Sequence, residues 1–215
     1  SALGSLHAGI ALQAGEVKRY PADVAPFLGI PHPTLDLADP LVALVPAGDS
    51  VLLLGVAPAA VPEGWAIERF ADLAQMQCDR ELPVIDGPGI VELGDAHRAD
   101  VLALTALVYP HYFRPRTMEL GRYFGMYMEG RLAAMIGERL GAPGHREMSA
   151  ICTHPDFLGR GYARRLTAYL SNRTLQEGNK PFLHVAYANA RARALYEQMG
   201  YRLRRDIGFF ALRRG

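Results

Sequence analysis

The sequence has little cysteine, little net charge and no long apolar run. Its 215 residues include only Cys78 and Cys152 as cysteines, which excludes a small fold held by several disulfides and favours a reducing, cytoplasmic location. No apolar stretch reaches the length of a membrane span, so we expect no membrane partner. His7 and His32 stand alone without metal-ligand spacing, so we predict no metal site.

The net charge of +1 hides an uneven distribution. Residues 151–215 carry 12 Lys and Arg against 4 Asp and Glu, whereas residues 1–150 carry 11 against 18. The basic C-terminal part suits a multiply charged anion. We expect no nucleic-acid partner, because aromatic and basic residues do not interleave as they do on such surfaces.

The first 80 residues read as a small α/β domain. The β-branched and apolar stretches predict strands over residues 16–20, 41–45, 51–56 and 66–70. Residues 47–50 predict a hairpin turn, and residues 21–28 a short helix that begins with a proline. Residues 79–89 read as a connector to a second, larger domain over residues 86–215. No fixed-period repeat is visible.

The second domain alternates strands with helices. We predict a helix over residues 95–108 and a loop over residues 109–117. Residues 123–128 and 131–139 predict an antiparallel pair, with Glu129-Gly130 as its turn. Further strands are expected at residues 90–92, 147–153 and 181–186.

A glycine loop between a strand and a helix is the most informative stretch. His154-Pro155-Asp156 ends the strand 147–153, and apolar positions at helical spacing follow from Arg160. Gly159 and Gly161 stand between the two elements. Such a loop points several backbone N–H groups at one spot beside a helix N-terminus, which predicts a phosphate site. It has neither a G-x-G-x-x-G pattern nor a closing Lys-Ser/Thr pair.

A second motif downstream carries a family resemblance. Residues 183–201 read L-H-V-A-Y-A-N-A-R-A-R-A-L-Y-E-Q-M-G-Y: a strand, an asparagine, then a short helix with a tyrosine, a glycine and an aromatic residue. Together with the glycine loop, this order resembles the GNAT superfamily of acyl-CoA-dependent N-acetyltransferases over about residues 86–215. The C-T-H-P-D run further resembles the branch that includes glycine N-acyltransferase-like proteins.

The resemblance implies an α/β fold with a mixed central sheet. Acyl-CoA would lie where the parallel strands 147–153 and 181–186 split. The fold also includes the smaller N-terminal α/β domain. That domain could be a degenerate copy of the same fold, although it shows no second glycine loop. The implied reaction moves an acetyl group from acetyl-CoA, as co-substrate, to a primary amine of a small molecule or amino acid by direct attack. A homodimer is left open.

The GNAT acyl-CoA motif R/Q-x-x-G-x-G/A corresponds to residues 158–163. Gly161 and Ala163 match it, and Leu158 departs from it. We expect phosphate binding by this loop to be retained, because backbone amides supply most of the contacts. Arg164 could equally be a solvated helix residue, and Asn189 could cap its helix as well as contact the pantetheine arm. The implied acyl-CoA contacts are Ile151, Cys152, Thr153, Leu158, Gly159, Arg160, Gly161, Tyr162, Ala163, Arg164, Asn189 and Tyr196.

The resemblance also implies the proton donors and acceptors. Tyr196 would protonate the departing sulfur, although its helical spacing also fits a core residue. Glu147 is the first candidate base, since it stands eleven residues before Leu158 as the glutamate of the histone-acetyltransferase branch does, and Glu138 is the second. Glu147 could instead be an edge carboxylate paired with Arg146 or Arg139 in water.

The aromatic loop and one cysteine complete the candidates. The resemblance suggests that Tyr112, Phe113 and Arg116 contact the acceptor, whereas a plain capping loop would pack the same rings on the sheet. A covalent acyl-Cys152 route with His154 as base is rejected, because direct transfer needs no nucleophile. The competing hypotheses are a non-catalytic CoA-binding or protein-interaction module and a nucleotide-binding protein.

Overall fold

The computed structural model describes residues 1–214, which form three sheets and four α-helices. The elements are β1 (Leu12–Ala14), β2 (Val17–Arg19), β3 (Leu28–Gly29), α1 (Ala38–Leu44), β4 (Ser50–Leu54), β5 (Trp65–Arg69), β6 (Leu73–Gln77), β7 (Val91–Leu93), α2 (Arg98–Val108), β8 (Tyr123–Met128), β9 (Arg131–Ala142), β10 (His145–Thr153), α3 (Tyr162–Gln176), β11 (Lys180–Ala186), α4 (Ala190–Met199), β12 (Arg202–Ile207) and β13 (Phe209–Arg214). Within the described residues, no helix is long and apolar enough to cross a membrane.

The largest sheet has seven strands in the order β12-β6-β11-β10-β9-β8-β7. Neighbouring strands are antiparallel except β10 and β11, which are parallel. Glu129 and Gly130 turn the β8–β9 hairpin as predicted, and both have positive φ. Paired φ values of that sign belong to the tight turn that matches the twist of a hairpin.

The two parallel strands separate soon after they meet. They pair from His145↔Lys180 to Glu147↔Phe182 and no further. Beyond that point β10 carries a bulge, where Ala150 has a φ of 49° and the register with β9 shifts between Ser149 and Cys152. A bulge bends its strand and re-aims the side chains that follow. The predicted split in the central sheet is confirmed.

Helices cover both faces of this sheet. α3 and α4 pack on one face in an apolar cluster that includes Met148, Leu183 and Val185. α2 packs on the other face, in a cluster with Tyr123 and Cys152. Adjacent residues of a strand point to opposite faces of the sheet, so each strand packs against helices on both sides. The split between β10 and β11 therefore lies between two helical layers.

Each half of the chain gives one strand to the other half. β6 lies between β11 and β12, and β13 lies between β4 and β5, with antiparallel pairing throughout. The two groups of three strands thus have the same arrangement, and in each the middle strand comes from the opposite end of the chain. The predicted domain division near residue 80 stays a prediction, and strands on either side of it share both sheets.

Two predictions in the N-terminal half were wrong. Residues 41–45 form the end of α1 rather than a strand, so residues 47–50 join a helix to a strand and are not a hairpin turn. The Asp36 carboxylate accepts the Ala38 N–H at 3.0 Å, and Leu37, Leu41 and Leu44 bury one helical face. A short apolar run fits a strand or a buried helix equally well, and this start signal decides it.

The predicted helix over residues 21–28 was also wrong. A single turn forms, in which the N–H groups of Val24 and Ala25 both bond to the Pro21 carbonyl. Pro26 then interrupts it, because proline has no N–H to continue the ladder. The chain continues instead into β3, and Leu52 N–H donates to the Pro26 carbonyl.

Candidate active site

A cleft of about 370 Å³ opens where β10 and β11 separate. Its lining draws on three of the apolar clusters. The α3–α4 cluster contributes Met148, Ile151, Leu183, Val185, Ala192 and Tyr196. The α2 cluster contributes Val108, Tyr109, Ala150 and Cys152. The third cluster contributes Phe27, Leu54, Leu73, Tyr112 and Phe209, which we call the apolar wall. The cleft is thus the meeting point of both halves of the chain.

A buried ion pair borders the cleft on the side of β9. The Arg139 Nε and Nη2 atoms donate to the two Glu147 carboxylate oxygens at 3.0 and 2.7 Å. The Leu140 N–H donates to Glu147 Oε2 at 3.0 Å, and His184 Nδ1 lies 2.7 Å from Oε1. Glu147 is 1% exposed, so the pair with Arg139 is present but buried rather than in water.

The hydrogen bonds around His184 fix its tautomer. An ionised carboxylate can only accept, so His184 Nδ1 carries the proton that it shares with Glu147. On the other side, His184 Nε2 lies 2.9 Å from Gln75 Nε2, while Gln75 Oε1 accepts from Arg204 at 2.6 Å. The Arg204 contact orients the amide so that its nitrogen donates to the imidazole. His184 therefore links Glu147 to Gln75 and, through Gln75, to Arg204.

The surroundings of Glu147 hold it ionised. Burial alone would raise the pKa of Glu147, but the charge of Arg139 and the hydrogen bonds from His184 and Arg139 more than offset this, and the pKa lies well below its usual range. Both oxygens already accept two hydrogen bonds. A carboxylate in this state has little tendency to take a proton from a substrate at neutral pH.

Glu138, the second predicted base, does not reach the cleft. Its carboxylate accepts from the Arg122 guanidinium, at 2.8 Å between Arg122 Nη2 and Glu138 Oε1. Arg122 also binds Glu177, just after the end of α3. Consecutive residues of a strand face opposite sides, so Arg139 points to the cleft and Glu138 away from it. The prediction of Glu138 as a catalytic residue is corrected on this ground.

Tyr196 and Cys152 both line the cleft. Burial, with smaller contributions from Cys152 and Tyr109, raises the pKa of Tyr196, so its hydroxyl keeps its proton at neutral pH. That hydroxyl has no protein hydrogen-bond partner within residues 1–214. Burial raises the pKa of the Cys152 thiol to about 12, which leaves almost no thiolate for covalent chemistry.

The glycine loop presents a row of free amides. Gly159 and Gly161 have φ values of 78° and 77°, in the left-handed region that favours glycine. α3 begins at Tyr162, directly after Gly161, and no side chain caps it. The first amide of this segment with an acceptor is Arg165 N–H, on the Gly161 carbonyl, and the N–H groups of residues 159–164 have none in the described chain. This is the arrangement that binds phosphate at a helix N-terminus.

The other predicted acyl-CoA residues fall around the loop and the split. Leu158 is 53% exposed, and Arg160 stacks its guanidinium 5.0 Å from the Phe157 ring. Arg164 is exposed on the first turn of α3. Asn189 lines the cleft and caps α4, with its side-chain oxygen accepting the Ala192 N–H at 3.1 Å. The residues Ile151, Cys152 and Thr153 line the cleft on the edge of β10 that has left β11.

The structure separates the three predicted acceptor residues. Tyr112 lines the cleft, and its contact with an acceptor stays a prediction. Phe113 is buried in the α2 cluster, edge to face with Tyr123 at 5.7 Å between ring centroids, and does not line the cleft. Arg116 lies outside as well, because Glu119 and Asp23 hold its guanidinium at 2.7 and 3.2 Å. The predictions for Phe113 and Arg116 are corrected.

Several cleft residues carried no recognised signal in the sequence. The sequence predicted Arg139 only as a surface partner of Glu147, and it predicted no role for His184, Tyr109 or Ser149. One signal could have found His184: it is a polar ring on the face of β11 opposite to Leu183 and Val185. The wall residues of β4, β6 and β13 gave none, because only long-range strand pairing brings them here.

Comparison with known proteins gives the family. The FR47-like protein family matches residues 123–209, and no curated protein matches the sequence. A structure from Novosphingobium aromaticivorans, assigned to the GNAT family of acetyltransferases, is 33% identical over 100% of this chain and 95% of that one, with a TM-score of 0.87.

Two more distant structures share the fold. A GCN5-related N-acetyltransferase from Kribbella flavida is 17% identical, with a TM-score of 0.59 over 94% of this chain and 88% of its own. A GCN5-related N-acetyltransferase-like protein from Streptococcus suis is 16% identical, with a TM-score of 0.55 over 87% of this chain and 78% of its own. By its full-length relative and its split central sheet, the chain belongs to the GNAT family of acetyltransferases, whose members use an acyl-CoA donor.

Proposed function

We propose that this protein transfers an acetyl group from acetyl-CoA to a primary amine of a small molecule or amino acid, by direct attack of the amine on the thioester. One observation carries the proposal: the split between β10 and β11 is lined by Tyr196, a protonated phenol with no partner in the described chain. Resemblance to the glycine N-acyltransferase-like branch would favour amino acids, and it rests on the C-T-H-P-D run alone.

Binding of CoA would begin at the glycine loop. The amides of residues 159–164 would hold the pyrophosphate, and Arg160 and Arg164 would add positive charge nearby. These contacts come from backbone N–H groups. They would therefore be retained although Leu158 stands where the family has Arg or Gln. The edge of β10 at residues 151–153, no longer paired to β11, would accept the pantetheine arm as an added strand would. Asn189 would contact the same arm.

Tyr196 would act as the general acid. The amine nitrogen attacks the thioester carbon, the carbon–sulfur bond breaks, and the phenol proton passes to the departing sulfur. The new amide nitrogen loses one proton, which returns through solvent to the phenolate of Tyr196. A correctly placed proton donor of this kind accelerates a reaction by about 10²–10⁴-fold. The phenol fits the role because its raised pKa keeps it protonated, although a phenol with a raised pKa is also a weaker acid.

The amine must lose a proton, and Glu147 is not free to take it. We propose that Glu147 instead positions His184 and Arg139 beside the cleft. The amine would lose its proton to bulk water, because an apolar cleft disfavours the ammonium form. A kcat/KM that rises with pH up to the pKa of the free amine supports this route. An acidic limb that Glu147→Gln abolishes would restore Glu147 as the base.

The proposal extends to the rest of the chain. We propose that residues 1–80 are a degenerate copy of the second half, which the reciprocal exchange of β6 and β13 supports. A cytoplasmic location is proposed from Cys78 and Cys152, both buried and unpaired. Acyl-CoA and a small amine are the proposed partners, and a homodimer remains a proposal without a particular interface.

Release of CoA thiol tests the proposal directly. The protein is incubated with acetyl-CoA and a panel of primary amines, and free thiol is measured over time, with binding of CoA followed by calorimetry. Amine-dependent thiol release is the expected result. CoA binding without any thiol release would indicate a non-catalytic CoA-binding module, and no CoA binding would refute both.

A further inference from the structure

The cleft offers no free charge to an acceptor. Arg139 and Glu147 are the only Lys, Arg, Asp or Glu side chains that line it within residues 1–214. They neutralise each other through two hydrogen bonds of 2.7 and 3.0 Å. Phe27 further covers Arg139, with 4.8 Å between the guanidinium carbon and the ring centroid. An acceptor that brought a second charged group would find no partner of opposite charge.

The apolar wall lines the same cleft as this neutral pair. Phe27, Leu54, Leu73, Tyr112 and Phe209 come from five separate segments and belong to one apolar cluster. Tyr112 and Phe209 contact each other at 6.4 Å between centroids, and Phe70 packs behind Phe209 at 5.0 Å. The wall is therefore continuous with an apolar cluster of the core.

We infer that the acceptor is a small primary amine whose remaining part is apolar and uncharged, such as an arylalkylamine or alkylamine. The inference rests on the proposed function and narrows it, because it excludes free amino acids and polyamines. Burying their additional carboxylate or ammonium without a partner is strongly unfavourable. A site of about 370 Å³ that also holds the thioester leaves room only for a small group.

Polar groups in the cleft suit the amine itself. Ser149 and Tyr109 both line the cleft, as Glu147 does, and each carries a hydroxyl. Their oxygens can accept N–H bonds from a primary amine without adding charge. An amine anchored there would extend its apolar part toward the wall.

Matched pairs of amines test the inference. Each pair differs by one charge: tyramine with tyrosine, phenethylamine with phenylalanine, and hexylamine with 1,6-diaminohexane. We expect kcat/KM for the partner without the additional charge to be at least about 100-fold higher in every pair, a discrimination typical of a buried group left unpaired. Equal values, or a preference for the charged partner, would overturn the inference.

A binding measurement separates this inference from the proposed function. Tyramine and tyrosine are titrated calorimetrically into the CoA complex, which needs no turnover. Tyramine binding without tyrosine binding upholds the inference even where no thiol is released, and in that case only the proposed transfer reaction fails. Binding of tyrosine as tightly as tyramine, or binding of neither, overturns the inference.

A charge added to the wall should weaken the preference for tyramine over tyrosine. Leu54→Arg places a cation in the cleft and should raise the tyrosine-to-tyramine ratio of kcat/KM at least about 10-fold. Leu107→Arg is the matched control, because Leu107 is 55% exposed and lies outside the cleft. Tyr112→Arg provides a second variant in a loop should Leu54→Arg not fold. An unchanged ratio in the folded variant contradicts the inference.

Discussion

The two groups of three strands in this protein are built alike and serve different purposes. In both, an antiparallel strand from the opposite half lies between two strands that follow one another in sequence. The C-terminal group is preceded by the glycine loop and the 15-residue α3, and α4 lies between its β11 and β12. The N-terminal group is preceded by the seven-residue α1, and only a loop joins β4 to β5.

The difference separates scaffold from site. Both groups of three strands have the same pairing. The pairing therefore does not explain why only one half has the features of a cofactor site. The free amides at Gly161 and the split after Glu147 occur in the C-terminal half. The N-terminal half contributes Phe27, Leu54 and Leu73, which line the same cleft. One half would bind the donor, and the other would shape the space for the acceptor.

The largest expected effect compares a buried ion pair in each half. Glu147→Gln leaves the buried Arg139 without its charge partner and should lower the free energy of unfolding by about 3–5 kcal/mol. Asp49→Asn should lower the free energy of unfolding by about 1 kcal/mol or less, because Asp49 is 32% exposed. Arg19 would still donate hydrogen bonds to the Tyr20 and Leu44 carbonyls. Urea denaturation of both variants measures the difference. Equal losses of unfolding free energy in the two variants would contradict a larger contribution from the Arg139–Glu147 pair.

The same pair predicts a dependence on acid. The pKa of folded Glu147 lies below its unfolded value of about 4.5, so its contribution to stability is fully present above pH 4.5 and is lost progressively as the pH falls below it. The stability advantage of the wild type over Glu147→Gln should therefore shrink from pH 7 to pH 3. Denaturation curves at both pH values measure it, and a constant advantage would contradict the assigned ionisation.

The next effect concerns the phenol in the split. Tyr196→Phe should lower kcat by about 10²–10⁴-fold while the Kd for CoA changes little, because only the proton donor is lost. Tyr169→Phe is the matched control on α3, where the ring packs against Phe124 outside the cleft. Steady-state rates and calorimetry measure both variants. Equal rates for Tyr196→Phe and wild type would remove the general-acid role.

The smallest effect separates two roles of one asparagine. Asn189→Ala should lower the free energy of unfolding by about 1 kcal/mol through the lost cap, whereas Asn189→Asp should preserve the cap. Asp36→Ala, at the start of α1, should cost a similar amount with no effect on CoA. If Asn189 also contacts CoA, Asn189→Asp should weaken CoA binding by calorimetry. Unchanged binding would leave Asn189 a cap alone.

The sequence could predict local features and not the partners that long-range pairing brings together. The Glu129-Gly130 turn, the Asn189 cap and the left-handed Gly200 all follow from residue types at short spacing. The bond between Glu147 and His184 depends on the register of two parallel strands, which no short pattern specifies. The wall likewise needs Leu73 to lie opposite Ala186, a pairing between strands far apart in the chain.

Calorimetric titration of CoA into three proteins tests the central claim most directly. Gly161→Val forces a β-branched residue into a φ of 77° and should weaken CoA binding by at least about 10-fold. Gly48→Val imposes the same strain at a φ of 80° in the N-terminal half and should bind CoA as the wild type does. Equal weakening by both variants, or no CoA binding by the wild type, would contradict a cofactor site built from the amides around Gly161.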